Sequence, residues 1–238
     1  MSIDIQIWSD IACPWCFIGK RRFERALATF PARDQVRVTW RSYQLDPTLP
    51  ESYDGSEVDY LVAAKGMAPE SVQQMIGYVA QQAEGEGLAY DFDRLAVANS
   101  RRAHRVLQAA KRADQADEGQ RTDALEEALF SAHFEKGANI GDAETLVALG
   151  TEAGLDAATV RTALDSTELD AAIDADIHEG TAIGVRGVPF FVVNDTYGVS
   201  GAQSPDVFRE VLERAFADQK STLVDVGGEG EACGPDGC

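Results

Sequence analysis

The sequence has few basic residues and lacks a long apolar run. No stretch approaches the roughly 18 apolar residues that a membrane-spanning helix needs, so we expect no membrane association. The 21 lysine and arginine residues stand against 40 aspartate and glutamate residues, which gives a formal charge of -19. Such an acidic chain repels phosphate backbones and anionic lipid. We therefore expect neither a nucleic acid nor a membrane as a partner.

Cysteine is also scarce, with four residues in 238. The first five residues have no basic start and no long apolar stretch, so we expect a cytoplasmic protein. Thiols are kept reduced there, which argues against a framework of permanent disulfides and favours redox chemistry or metal binding. The cysteines form two close pairs, Cys13 with Cys16 and Cys233 with Cys238.

The pattern around the first cysteine pair predicts a strand, a helix and a second strand. Apolar residues alternate over 3–7, and after Cys13 they recur at helical spacing. Pro14 would lie in the first helical turn, where its missing N–H costs nothing. Alternation returns over 36–40, and a strand-helix-strand unit predicts parallel pairing of the two strands.

The middle of the chain, from about 56 to 184, has a helical pattern almost throughout. Met75 and Ile76 belong to one apolar stripe, which we interpret as core. Strand character returns at 188–193 and again at 197–200. Ser204-Pro205 then predicts the start of a last helix.

Cys13 and Cys16 meet the two requirements of thiol–disulfide exchange, an ionised accessible thiol and a second thiol that displaces the product. A helix start at Cys13 would favour its thiolate through unpaired N–H groups and the helix dipole. Cys16 follows one turn later on the predicted buried face. A CxxC pair is also half of a zinc site, but the preceding strand, the following helix and Val188-Pro189 favour redox chemistry.

The segment 9–19, SDIACPWCFIG, resembles the active-site segment of the DsbA family, in particular its FrnE-like branch. Residues 98–105 and 129–142 are similar to the helical insertion of that branch. Residues 184–192 and 200–205 are similar to its second thioredoxin half. Together these segments cover most of the chain.

The resemblance implies an α/β chain, a thioredoxin-like fold with a large all-helical domain inserted between its two halves. Residues 1–55 would form the first half with the CPWC motif, and residues 56–183 the helical insertion. Residues 184–220 would form the second half with a cis-proline loop. Residues 221–238 would be a flexible C-terminal tail that contains the second cysteine pair.

The resemblance also implies the function and the residues that perform it. The chain would be a thiol–disulfide oxidoreductase or isomerase that acts on protein disulfides through a mixed disulfide, without a cofactor or metal. Cys13, Cys16 and Pro189 would be catalytic, with a cis bond between Val188 and Pro189. The residues expected to bind substrate are Pro14, Trp15 and Val188. Partners would be proteins that carry thiols or disulfides, and we also consider a low-molecular-weight thiol.

Two features go beyond this pattern. Many thioredoxin-like proteins carry a buried acid six positions before the first cysteine, and Ile7 stands there, so the proton acceptor of Cys16 is open. We interpret Asp10 as a cap or turn former.

Cys233 and Cys238 flank a Pro-Asp-Gly turn that can bring them together. We predict an auxiliary redox pair there, with a remnant or a metal ligand as the other interpretation.

Two other functions stay open. Glutathione-dependent kappa-class transferases and 2-hydroxychromene-2-carboxylate isomerases resemble this architecture, although they typically have serine at the active turn. A structural zinc protein would combine the two cysteine pairs in one site. We interpret His104, His133 and His178 as packed or surface residues, because none has a partner at the spacing of a metal site.

Overall fold

A computed structural model describes residues 2–51, 53–117 and 119–219. Its strands are β1 (Ile3–Ser9), β2 (Val36–Ser42), β3 (Phe190–Val193) and β4 (Tyr197–Ser200). They form a sheet in the order β2-β1-β3-β4. β1 runs parallel to β2, which confirms the predicted pairing, and β3 runs antiparallel to both β1 and β4.

Helices surround this sheet in the α/β arrangement that we expected. α1 (Pro14–Thr29) joins β1 to β2, and α9 (Pro205–Gln219) follows β4. The helices between β2 and β3 are α2 (Glu57–Lys65), α3 (Pro69–Glu84), α4 (Arg101–Asp117), α5 (Arg121–Phe130), α6 (Ala143–Glu152), α7 (Ala157–Leu164) and α8 (Thr167–Ala182). A π-helical turn, Ser131–Glu135, continues α5. These helices lie in the segment predicted as an insertion, and the domain boundaries themselves stay a prediction.

The core between the sheet and helices α1 and α9 is apolar and aromatic. Alternation in β1 turns Ile3, Ile5 and Ile7 towards this side, where they are buried. Phe191 of β3 packs against Phe208 of α9 with ring centroids 4.6 Å apart. This core places the end of β1, and with it the start of α1, at a fixed position.

A buried carboxylate joins β2 to the helices on the other side of the sheet. The Asp176 carboxylate accepts hydrogen bonds from the Ser42 backbone N–H at 3.1 Å and from Gln108 Nε2 at 2.6 Å. It also pairs with Arg41 Nη1 at 2.8 Å. Asp176 is 4% exposed, so these contacts provide the partners that a buried charge requires.

No helix in the three described ranges combines the length and the apolar character needed to cross a bilayer. The predicted tail, with Cys233 and Cys238, lies outside the described residues. Its flexibility and its redox role therefore stay predictions.

Candidate active site

Cys13 occupies the N-cap position of α1, and Pro14 is the first helical residue, as the sequence predicts. The turn before the helix is closed by the Cys13 N–H, which donates to the Asp10 carbonyl at 3.0 Å. The Cys16 N–H donates to the Cys13 carbonyl, also at 3.0 Å. Cys13 and Cys16 are both free and both buried, so the site is in its reduced form.

The Cys13 thiol faces the loop before β3. It donates to the Val188 carbonyl oxygen, with Sγ 3.6 Å from that atom, and it makes no side-chain hydrogen bond to the helix N–H groups. The predicted contact between the Cys13 sulfur and those N–H groups is therefore not made in this form. A protonated thiol is a weak donor, so a carbonyl oxygen is the better partner for it.

Cys16 lies one helical turn further along and is 1% exposed. Burial raises the pKa of the Cys16 thiol well above its ordinary value, and the neighbouring Cys13 raises it further. The Asp10 backbone and the Ser9 side chain act in the opposite direction and lower this pKa in part. Cys16 is thus the more deeply buried of the two thiols, on the face of α1 where the sequence predicts it.

The loop before β3 contains a cis peptide bond between Val188 and Pro189. The Pro189 ring packs closely on α1, since a Cβ atom added at Gly19 would lie 2.8 Å from Pro189 Cγ. Glycine at this position therefore leaves the space that the ring occupies. The Gly201 N–H donates to the Pro189 carbonyl at 2.8 Å and holds the loop from its other side.

Tyr90 holds the first turn of α1 and was not predicted from the sequence. Its hydroxyl donates to the Pro14 carbonyl at 2.7 Å. Burial raises the Tyr90 pKa, and the nearby Cys13 and Cys16 raise it further, so the phenol keeps its proton and stays a donor. Tyr90 lies in the loop between α3 and α4, where no periodic signal marks it. Trp15 packs against Tyr78 of α3, with ring centroids 6.1 Å apart.

Asp10 connects the active-site turn to two other segments. Its carboxylate accepts from the Ala12 N–H at 3.2 Å, the turn contact that we predicted, and from the Leu45 N–H at 2.7 Å. His104 Nε2 of α4 lies 3.3 Å from the same carboxylate. Burial opposes ionisation of Asp10, but the His104, Leu45 and Ser100 contacts outweigh it and lower its pKa. His104 is packed, as expected, yet its partner is 94 residues away in sequence.

A cavity of about 600 Å³ opens beside Cys13, Pro14 and Trp15. Helices α2 and α3 form its far wall. Met75 and Ile76 line it, so interpreting their stripe simply as core was incomplete. Helical periodicity shows that a face is apolar, and it does not show whether the space beside that face is filled. His133 also lines the cavity, and burial lowers its pKa to about 4.

The described residues do not bring together three His, Cys, Asp or Glu side chains that could hold a metal. The zinc site considered from the sequence combines Cys13 and Cys16 with two cysteines outside those residues. The described residues alone therefore do not test this zinc site.

Comparisons with known proteins agree with the fold. The family model of the DSBA-like thioredoxin domain matches residues 4–213. The uncharacterized protein YwbO of Bacillus subtilis strain 168 is 29% identical over 221 residues, which are 92% of this chain and 98% of YwbO. The solved structure of the probable DsbA oxidoreductase SCO1869 from Streptomyces coelicolor is 40% identical, with a TM-score of 0.84. That alignment covers 99% of this chain and 98% of SCO1869.

A more distant structure shares the fold. The cytosolic disulfide reductase DsbM from Pseudomonas aeruginosa, solved with GSH, is 20% identical with a TM-score of 0.60, over 90% of this chain and 99% of DsbM. The family match extends from β1 to α9 and includes the CPWC segment and the loop before β3. The chain therefore belongs to the DSBA-like thioredoxin domain family and is an enzyme, a DsbA-like oxidoreductase.

Proposed function

We propose that the protein exchanges thiols and disulfides with substrate proteins through Cys13 and Cys16. The asymmetry of the two thiols carries this proposal. Both thiols are buried, but Cys13, which is 5% exposed, lines the cavity beside the Val188-Pro189 loop, whereas Cys16 is 1% exposed, does not line it and has a raised pKa. The first thiol can meet a substrate, and the second is held back for the later step.

Reduction of a substrate disulfide then takes two displacements. The Cys13 thiolate attacks one substrate sulfur, a mixed disulfide forms, and the first substrate thiolate leaves and takes a proton. Cys16 loses its proton and attacks the Cys13 sulfur, which releases the second substrate thiol and leaves a Cys13–Cys16 disulfide. The substrate gains two electrons and the dithiol loses two. In isomerisation, a thiol of the substrate itself resolves the mixed disulfide.

The resolving step lacks the usual buried carboxylate at position 7. Ile7 is 1% exposed and belongs to the apolar core. The groups that favour ionised Cys16 are the Asp10 backbone and the Ser9 side chain. In this proposal they stabilise the departing or attacking Cys16 thiolate, and solvent entering from the cavity takes the proton.

Substrate peptide would bind along Val188. Its carbonyl contacts the Cys13 thiol, and within the described chain its N–H has no hydrogen-bond partner. An extended peptide could therefore add as a strand and use both groups. Pro14 and Trp15 would contact the side chains on either side of the substrate cysteine.

We further propose that the protein acts in the cytoplasm as a reductase or isomerase. A reducing compartment keeps such a dithiol reduced for much of the time, which favours these reactions over net oxidation. The fold shared with the cytosolic reductase DsbM supports this proposal.

The relay of electrons between the Cys233/Cys238 pair and the Cys13/Cys16 pair is also a proposal. Deletion of residues 232–238 should change the rate or direction of turnover, and unchanged kinetics would remove that role.

The central test is the behaviour of the two cysteine variants in insulin reduction. Cys13→Ser should abolish activity because the attacking sulfur is gone. Cys16→Ser should accumulate mixed disulfides with substrate, detectable by mass spectrometry under non-reducing conditions. Full activity of Cys13→Ser would refute the proposal. A glutathione-conjugation assay distinguishes the competing transferase function, which needs no second cysteine.

A further inference from the structure

The cavity beside Cys13 has the size and walls of a small-molecule site. Its volume of about 600 Å³ lies within the range of roughly 300 to 1,000 Å³ that such sites occupy. Apolar side chains form much of the wall, among them Trp15, Met75, Ile76 and Phe92. Cys13 is part of the same wall, so the sulfur of a bound molecule can meet the reactive thiol.

The charged groups on this wall are mostly acidic. Asp10, Asp46 and Glu57 line the cavity, and Lys65 is the one lysine or arginine among the described residues that do so. His133 adds no positive charge at neutral pH, because burial lowers its pKa to about 4. A ligand carboxylate placed here would meet like charge.

Asp46 presents a fixed negative charge. Thr48 donates to it from its backbone N–H at 2.9 Å and from its hydroxyl at 2.6 Å, and the Tyr60 hydroxyl donates at 2.9 Å. The Thr48 contact and the Tyr60 contact lower the Asp46 pKa, although burial opposes them. Asp46 therefore stays ionised, and these hydrogen bonds hold its carboxylate in place.

Glu57 is the carboxylate available to a ligand. It lies in the first turn of α2 and is half-buried. Its carboxylate accepts no hydrogen bond from the described part of the chain. Burial raises the pKa of Glu57 to about 7, with Lys65 opposing the shift. A cationic group in the cavity would supply the missing partner and favour the ionised carboxylate.

We propose that this cavity selects low-molecular-weight disulfides that carry an amine and no carboxylate, with Glu57 and Asp46 as the residues that set this preference. The inference rests on the proposed function of Cys13 and Cys16. In the reaction, Cys13 attacks the small disulfide and releases one thiol, and Cys16 then releases the second thiol. The ligand gains two electrons, and the protein dithiol becomes a disulfide.

The test uses three disulfides of similar size that differ in charge. These are cystamine with two ammonium groups, bis(2-hydroxyethyl) disulfide with no charge, and 3,3′-dithiodipropionate with two carboxylates. The reduced full-length protein is mixed with each, and its oxidation is followed at constant ionic strength. Each rate is divided by the rate of the same disulfide with free dithiothreitol, which removes differences in intrinsic reactivity.

We expect the normalised rate for cystamine to exceed that for dithiodipropionate by about tenfold, a free-energy difference of about 1.4 kcal/mol. Glu57→Gln and Asp46→Asn should each reduce this ratio by about threefold or more. Glu210→Gln is the matched control, because it removes one exposed carboxylate of α9 that does not line the cavity. It should leave the ratio unchanged, which distinguishes an effect of the cavity carboxylates from an effect of the overall negative charge.

The possible outcomes distinguish a wrong charge preference from a wrong proposed function. Equal normalised rates for the three disulfides, or a ratio that Glu57→Gln and Asp46→Asn leave unchanged, would overturn the charge preference while Cys13 chemistry stands. If none of the three disulfides oxidises the dithiol while the protein still reduces insulin, the inference fails and the proposed function stands. If insulin is not reduced either, the proposed function fails as well. Circular dichroism of each variant verifies that the fold is retained.

Discussion

The two buried regions that meet at the active-site turn differ in their content of polar side chains. Each contains an apolar cluster, but the buried polar residues of the described chain lie in only one of them. Between the sheet and helices α1 and α9, the buried residues are aliphatic or aromatic, as in the contact of Phe23 with Phe191 and Phe208. The buried polar residues lie instead where the sheet and α1 meet the helices between β2 and β3. They are Ser9, Asp10, Lys20, Ser42, Gln44, Ser100, His104, Gln108, Glu126, His133 and Asp176.

This difference indicates two ways of fixing structure around one dithiol. Apolar burial stabilises without strong directional preference, and it forms the platform on which α1 rests. A buried polar pair is favourable only in a geometry that satisfies both groups. Contacts such as His104 with Asp10 therefore fix how the helices lie against the active-site turn. Substitutions that place a charge in the apolar region, or remove charges from the polar one, test this difference.

The largest effect should come from Ile7→Asp. Ile7 pairs with Trp40 on one side and Phe191 on the other, and the surrounding core offers a carboxylate no partner. We expect the free energy of unfolding to fall by about 4 kcal/mol or more, because an unpaired polar group would be buried. Ile7→Val is the control and should cost only about 1 kcal/mol. Urea unfolding that shows similar stability for the two variants would contradict the apolar character of this region.

A smaller loss is expected for Asp176→Ala in the polar region. The substitution leaves the Ser42 N–H, Gln108 and Arg41 without their shared partner. The loss should be about 3 kcal/mol, as for other buried ion pairs that lose one member. Asp174→Ala on the same helix removes an exposed carboxylate that pairs with Arg101, and about 0.5 kcal/mol is expected there. Equal losses in chemical unfolding would mean that burial of Asp176 has no special role.

The same contrast explains how much of the structure could be predicted from the sequence. Alternation over 3–7 and the position of Pro14 located β1 and the start of α1, since both patterns depend on local geometry. The resemblance supplied the cis bond before Pro189. By contrast, nothing local connects Asp10 with His104, and nothing local marks Tyr90 as the partner of the Pro14 carbonyl. Periodicity identifies a buried face, whereas polar partners depend on how distant segments meet.

The last prediction concerns Glu126, a carboxylate within the polar region. It is 2% exposed, and its Oε2 has no hydrogen-bond partner in the described structure. Burial raises its pKa from 4.5 to about 8, Lys20 opposes this shift, and Asp123 and Asp10 add to it. Between these two values the unfolded chain has released a proton that the folded protein keeps. The contribution of Glu126 to stability therefore falls as the pH rises through that window.

Glu126→Gln removes the group that releases a proton on unfolding at pH 7. It should therefore stabilise the protein at that pH by about 2 kcal/mol, after allowance for burial of the amide. The two proteins should become similar near pH 4.5. Glu127→Gln is the control on the neighbouring residue. Burial opposes ionisation of Glu127, but Arg21 and Lys20 outweigh it and lower its pKa. Its contribution is present above the ordinary pKa and is lost at low pH, so Glu127→Gln should destabilise the protein at pH 7. Urea unfolding across this pH range measures the change in the free energy of unfolding for each variant, and with it the direction of each effect. If the two variants shift stability in the same direction, the opposite environments assigned to these adjacent carboxylates are wrong.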